Sequence, residues 1–159
     1  MAEASAALAS TQVSRIVKAP RHAAYRACLD PEAVAAWLAP DGMKGHVHVF
    51  DAREGGTFRM SLTYQNPQHS PSGKTSTDTD TFHGRFVELV PDERIVEVIE
   101  FESADATFAG EMKLTTSFAD TDEGTEITLL CQDIPAGIRP EDNETGCRSS
   151  LQNLAVLIE

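Results

Sequence analysis

One short joint constrains this chain more than any other feature: Asp51-Ala52-Arg53-Glu54-Gly55-Gly56-Thr57-Phe58-Arg59. An alternating stretch, HVHVFD over 46–51, runs into it, and TFRMSLTY over 57–64 runs out. Apolar and polar residues alternating with period two mark β-strands. Two glycines between such strands allow a turn that bulkier residues resist. Strands joined this closely pair antiparallel. Phe58, Met60, Leu62 and Tyr64 share one face of the outgoing strand. In the incoming strand, strict alternation puts Val47 and Val49 on one face, with His46, His48 and Phe50 on the other.

The rest of the chain extends this sheet and supplies its cover. TQVSRIVK (11–18) reads as a strand with Val13, Ile16 and Val17 as its apolar content. A short helix over about 20–28 follows Ala19-Pro20, with Ala24, Tyr25 and Cys28 on its apolar stripe. Asp30 caps a second helix whose first turn holds Pro31 and Glu32. Val34, Trp37 and Leu38 give that helix a core face, and Pro40-Asp41-Gly42 ends it. Residues 65–78 form a polar loop. Further strands are expected over 81–90, 95–101, 110–118 and 125–132, with tight turns at Pro91–Arg94 and Asp120–Gly124. From Arg139-Pro140-Glu141-Asp142 onward the period changes. Cys147, Leu151, Leu154, Ala155 and Ile158 fall on one stripe of a helix of about 18 residues. The expected fold is α+β: an antiparallel sheet of six to seven strands, two short helices after the first strand, and a long C-terminal helix. A sheet with one apolar face needs cover, and only this last helix is long enough to give it. Residues 1–10, rich in Ala and Ser, read as frayed, and 11–159 as a single domain.

The chain has 159 residues, 41% of them hydrophobic, enough for a substantial core. Its net charge is −12, from 25 acidic and 13 basic residues, and this field disfavours nucleic acid and anionic membranes. Cys28, Cys131 and Cys147 are odd in number and widely spaced, as free, mostly buried thiols of a reducing compartment would be. The opening MAEASAALASTQ lacks the basic start and apolar core of a signal peptide. No later run is apolar enough to span a membrane. A cytoplasmic protein is expected, and a homodimer is left open.

Several constellations resemble functional sites and fail on their surroundings. The Gly55-Gly56 pair with Asp51 and Arg53 suits a phosphate cradle only if a helix follows, and a strand follows instead. It reads as a turn locked by Asp51 and Arg53 hydrogen bonds. His46 and His48 share a strand face but lack an evident third metal ligand, so they read as surface or cavity-rim histidines. The GKT at 73–75 has Gln68 where a phosphate loop needs its first glycine. No GxSxG occurs. Cys131 and Cys147 read as inert thiols, and Glu97, Glu100 and Glu102 as a solvated face. No catalytic residue, metal or cofactor is expected from these motifs.

Four segments carry a resemblance across nearly the whole chain. They are APRHAAYRACLDPEAVAAWLAP (19–40), DAREGGTFR (51–59), GRFVELVPDERIV (84–96) and GCRSSLQNLAVLIE (146–159). Together they resemble the START-like, or SRPBCC, helix-grip superfamily. More narrowly, they resemble bacterial homologues of the activator of the heat-shock-protein-90 ATPase. The resemblance implies a sheet wrapped around the terminal helix, with a cavity between them. It also implies a small hydrophobic ligand held by Trp37, His46, His48, Phe58, Met60, Leu62, Tyr64, Leu151 and Leu154. Two alternatives stay open: an enzyme of cyclase, aromatase or hydrolase type, and a chaperone-interaction module. Cys147 stands where the family usually carries tryptophan, which implies a larger cavity there or a repacked Leu151.

Overall fold

The computed structural model describes residues 8–40, 42–65 and 79–159. The polar loop after Gln65, with its GKT segment, and most of the stretch read as frayed lie outside the described residues, as does Asp41. Among the described residues, seven strands and three α-helices follow in the expected order. Strand β1 spans Ala9–Val17, and helices α1 and α2 span Arg21–Ala27 and Pro31–Trp37. The strands β2 (Met43–Phe50), β3 (Thr57–Tyr64), β4 (Thr79–Val90), β5 (Arg94–Glu102), β6 (Glu111–Thr121) and β7 (Gly124–Ile134) then precede α3 (Pro140–Ile158). All pair antiparallel in one sheet ordered β1-β7-β6-β5-β4-β3-β2. The first and last strands in sequence are thus joined, and α1, α2 and α3 cover the inner face. No helix among the described residues is long and apolar enough to cross a membrane.

Local chemistry accounts for the helix ends. The Asp30 carboxylate accepts from the Glu32 amide, capping α2 as expected. At the other end of α2, three carbonyls lie beyond the reach of its own amides. The Ser150 hydroxyl donates to Leu38 O at 2.6 Å, and the Asn153 amide donates to Ala39 O at 2.9 Å and Trp37 O at 3.4 Å. Side chains of α3 therefore satisfy the end of α2 and fix the two helices together. The Trp37 indole N–H donates to Ala27 O, tying α2 to α1. Leu151, Leu154 and Ala155 are sealed beneath α3, which lies chiefly along β1.

The joint at 51–59 is locked as expected, and it reaches further than a hairpin needs. Arg53 Nε donates to the Asp51 carboxylate at 2.8 Å, while the Gly56 amide donates to Arg53 O. In addition, the Gly55 amide donates to Phe86 O and the Phe86 amide to Gly56 O, so the joint grips β4 as well. The two glycines have different reasons to be there. Gly55 has φ +82° with open space around it, whereas a Cβ on Gly56 would stand 2.0 Å from Asp51 O. We expect Gly55→Ala to cost about 1 kcal/mol, the ordinary left-handed penalty. Gly56→Ala should cost about 3 kcal/mol, because rigid backbone must move. Urea melts of both variants check the ranking, and a larger loss from Gly55→Ala would contradict it.

The structure departs from the sequence reading at three places. Strand β1 begins at Ala9, paired with Ile134, so pairing starts inside the stretch read as frayed. Ile16 is on the outer face, 42% exposed, while Val13 and Val17 are buried. The third case is in β2, where the register shifts between Val47 and Val49. A bulge adds one residue and reverses the facing beyond it. Val49 therefore sits opposite Arg59 on the outside, and Phe50 opposite Phe58 on the inside. Phe50 packs edge-on against Phe86 at 5.5 Å.

Candidate functional site

The inner face of the sheet is built from cross-strand rows. Met60 pairs with Phe82, and Phe82 with Phe101; Phe58 pairs with Gly84, and Gly84 with Ile99. The next row runs Phe86, Glu97, Leu114, Cys131 and Thr11, one residue from each of five adjacent strands. Phe86, Cys131 and Thr11 are buried, which identifies this as the inner side. Glu97 thus stands mid-sheet among apolar neighbours.

This corrects the reading of Glu97, Glu100 and Glu102 as one solvated face. Along β5, Ile95, Glu97, Ile99 and Phe101 point one way, and Glu100 and Glu102 the other. On the outer face Arg59 forks onto Glu102 through two 2.9 Å hydrogen bonds. His83 bridges Glu102 at 3.0 Å and Glu100 at 3.2 Å. The Arg59 hydrogen bonds, with His83 adding to them, hold the Glu102 carboxyl down at about 2. Glu97 has the opposite environment. It makes no hydrogen bond or ion pair among the described residues, and burial, aided by Cys131, pushes its carboxyl up to about 8. Atoms enclose it in depth, yet part of its surface meets open space rather than a packing partner. The signal was present in sequence: counting by twos along IVEVIEF puts Glu97 with Ile95 and Ile99.

Behind Cys131 the row meets α3. Cys131 Sγ lies 4.0 Å from Cys147 Sγ, and Asn143 Nδ2 donates to Thr11 Oγ1 at 2.7 Å and to Cys147 Sγ at 3.8 Å. These two cysteines are therefore in contact rather than isolated thiols. The Cys147 contact favours the thiolate of Cys131 and pushes the Cys147 thiol up. Cys28, at the C-terminal cap of α1, is pushed up by burial, with Glu97 adding to the effect, as an inert core thiol should be.

The remaining anticipated residues fall into two groups. Trp37, Phe58, Met60, Leu151 and Leu154 are sealed on the inner side, and Leu62 and Tyr64 are half-buried there. Burial raises the Tyr64 phenol, with Asp80 and Asp142 adding to the effect. His46 and His48 are exposed on the outer face, their rings 4.7 Å apart, with His48 Nε2 on Ser61 Oγ at 2.8 Å. The β2 alternation sends them away from the helix. His83 and His22 are also exposed. Among the described residues, no three His, Cys, Asp or Glu side chains converge as a metal site needs. Two surface hollows lie apart from Glu97. One, of about 440 Å³, opens between α2, the start of β2 and α3 at Ala36, Pro40, Met43 and Asn153; the other, of about 340 Å³, flanks His46 and Tyr64.

An antiparallel sheet closed over a C-terminal helix, with two short helices beside it, defines the START-like helix-grip class. Within it, this chain belongs to the family described as Activator of Hsp90 ATPase homolog 1-like protein, whose model matches residues 18–159. A solved protein of Chromobacterium violaceum is 35% identical, with 94% of this chain and 96% of that one covered and a TM-score of 0.83. An Aeromonas hydrophila protein described as AHSA1-like is 17% identical, covers 93% of this chain and 90% of its own, and has a TM-score of 0.71. A Mycobacterium smegmatis protein, 15% identical with 94% and 90% covered, reaches 0.73. The last two share the fold. No curated protein matches the chain.

Proposed function

We propose that this protein binds a small, largely apolar molecule between the inner face of its sheet and α3. The observation that carries this reading is uneven burial of the inner face. Beneath the C-terminal half of α3 the packing is sealed at Leu151, Leu154 and Ala155. Toward the other end, Leu62, Tyr64, Phe101, Leu114, Glu97 and Cys147 all face inward and all keep accessible surface. A strip of mid-sheet apolar side chains that a covering helix leaves incompletely packed is how an apolar binding site begins. Cys147, a small thiol where the family resemblance implies an indole, leaves little bulk on α3 on that side. Trp37, Phe58, Met60, Leu62, Tyr64, Leu151 and Leu154 form the proposed wall and its support. The outward His46 and His48 are left out of it.

A screen of apolar metabolites by thermal shift and native mass spectrometry tests the reading. A ligand at a hundred times its Kd should stabilise the fold by about 2.7 kcal/mol and raise the melting temperature accordingly. No binding across a chemically broad set would refute it.

A further inference from the structure

We infer that the inner wall at Glu97 receives a cationic head, a primary or secondary ammonium carried on a largely apolar body. This rests on the ligand-binding reading above and names the chemical class of its ligand. Glu97 is an acid placed mid-sheet, facing inward, largely buried and unpartnered among the described residues. The groups that face it supply no counter-charge. Phe86 from β4 and Leu114 from β6 flank it, and the thiols of Cys131 from β7 and of Cys28, at the C-terminal cap of α1, lie near enough to interact with it electrostatically. From α3 come Cys147 and Asn143, behind Cys131. The cations nearest in register, Arg85, Arg94 and Lys113, stand on the outer face, where Arg85 pairs with Glu111 and Arg94 with Glu88. The chain carries −12 overall, so the field toward this wall favours cations.

A buried carboxyl without a partner is held neutral by its surroundings. An entering ammonium changes that balance. The neutral acid and the ammonium form a carboxylate–ammonium pair, and one proton leaves for solvent. A hydroxyl or carbonyl head gains only a neutral hydrogen bond, and an anionic head meets repulsion once Glu97 ionises. The site therefore ranks heads in the order ammonium, alcohol, carboxylate on the same body.

Matched probes test this: octylamine, octanol and octanoate, together with phenethylamine, phenethyl alcohol and hydrocinnamate, each titrated calorimetrically into the full chain. Each amine should bind at least tenfold more tightly than its alcohol at pH 7. Amine affinity should fall about tenfold per pH unit on acidification, because the proton must be displaced. Glu97→Gln should abolish the amine preference while still binding the alcohols. Glu100→Gln, the same substitution on the outer face, should keep it. In carbon-detected NMR, saturating octylamine should move the Glu97 carboxyl titration to lower pH. Alcohols that match the amines in the native protein, or a preference that survives Glu97→Gln, would overturn the ammonium assignment and leave apolar binding standing. If none of the six probes binds, the ammonium assignment falls, and the broad metabolite screen then decides the ligand-binding reading.

Discussion

A chain ending at Thr145 should not fold. The fourteen residues from Gly146 to Glu159 that it lacks include Leu151, Leu154 and Ala155, which are 0–1% exposed against β1 and the short helices. Each buried leucine removed from a core costs about 2–5 kcal/mol, and two of them approach the whole stability of a domain this size, about 5–15 kcal/mol. The loss does not stop at apolar area. Without Ser150 and Asn153, the carbonyls of Trp37, Leu38 and Ala39 lose their donors, and α2 loses the contact that ends it. The inner face would then present Phe58, Met60, Phe82 and Ile99 to water. Far-UV circular dichroism and urea titration of the truncated chain should give no cooperative transition. A milder form separates packing from chain length: Leu154→Ala in the full chain should fold but lose about 3–5 kcal/mol. A soluble fragment with a sharp melt would break the argument that α3 completes this sheet.

The sequence exposes that architecture because each element carries a strong period. The Phe58 to Tyr64 alternation and the Cys147 to Ile158 stripe are local signals, and the strand order around the joint follows from short connections. What it hides is relational. The bulge at Val47–Val49 inserts one residue without any compositional mark, so counting by twos sends Phe50 outward when it packs on Phe86. Cys131 and Cys147 touch because a strand and a helix bring them together, and nothing in their spacing requires it. Glu97 was half legible. Its parity places it with Ile95 and Ile99, but three acids within six positions suggest one wet face. Only the pairing of four strands puts Phe86, Leu114 and Cys131 around it. The joint at 51–59 bears on this row too, since its hydrogen bonds to Phe86 fix the residue beside Glu97.

Glu97→Gln should make the protein more stable, and increasingly so as pH rises. In the unfolded chain a glutamate titrates near 4.3, whereas burial holds Glu97 protonated to about 8 in the fold. Below pH 4 both states carry the proton and the group contributes nothing to the difference. Between those values the folded chain binds the proton that the unfolded chain has lost, so stability falls with rising pH by up to 1.4 kcal/mol per unit. Above about 8 both are ionised, and the loss levels off. Because Glu97 keeps some contact with open space, the full span is discounted to about 3 kcal/mol between pH 4.5 and 8. Glutamine has nearly the same shape and no charge to desolvate, so the variant escapes this slope. Glu102 does not confuse the measurement: its depressed carboxyl contributes stability that is lost only as pH falls from about 4 toward 2. Guanidinium unfolding of both proteins at pH 5 and pH 8 should show nearly equal stabilities at the lower pH and a clear advantage for glutamine at the higher. Parallel pH profiles would mean that Glu97 titrates as an exposed acid does, and the inner-face placement would then be wrong.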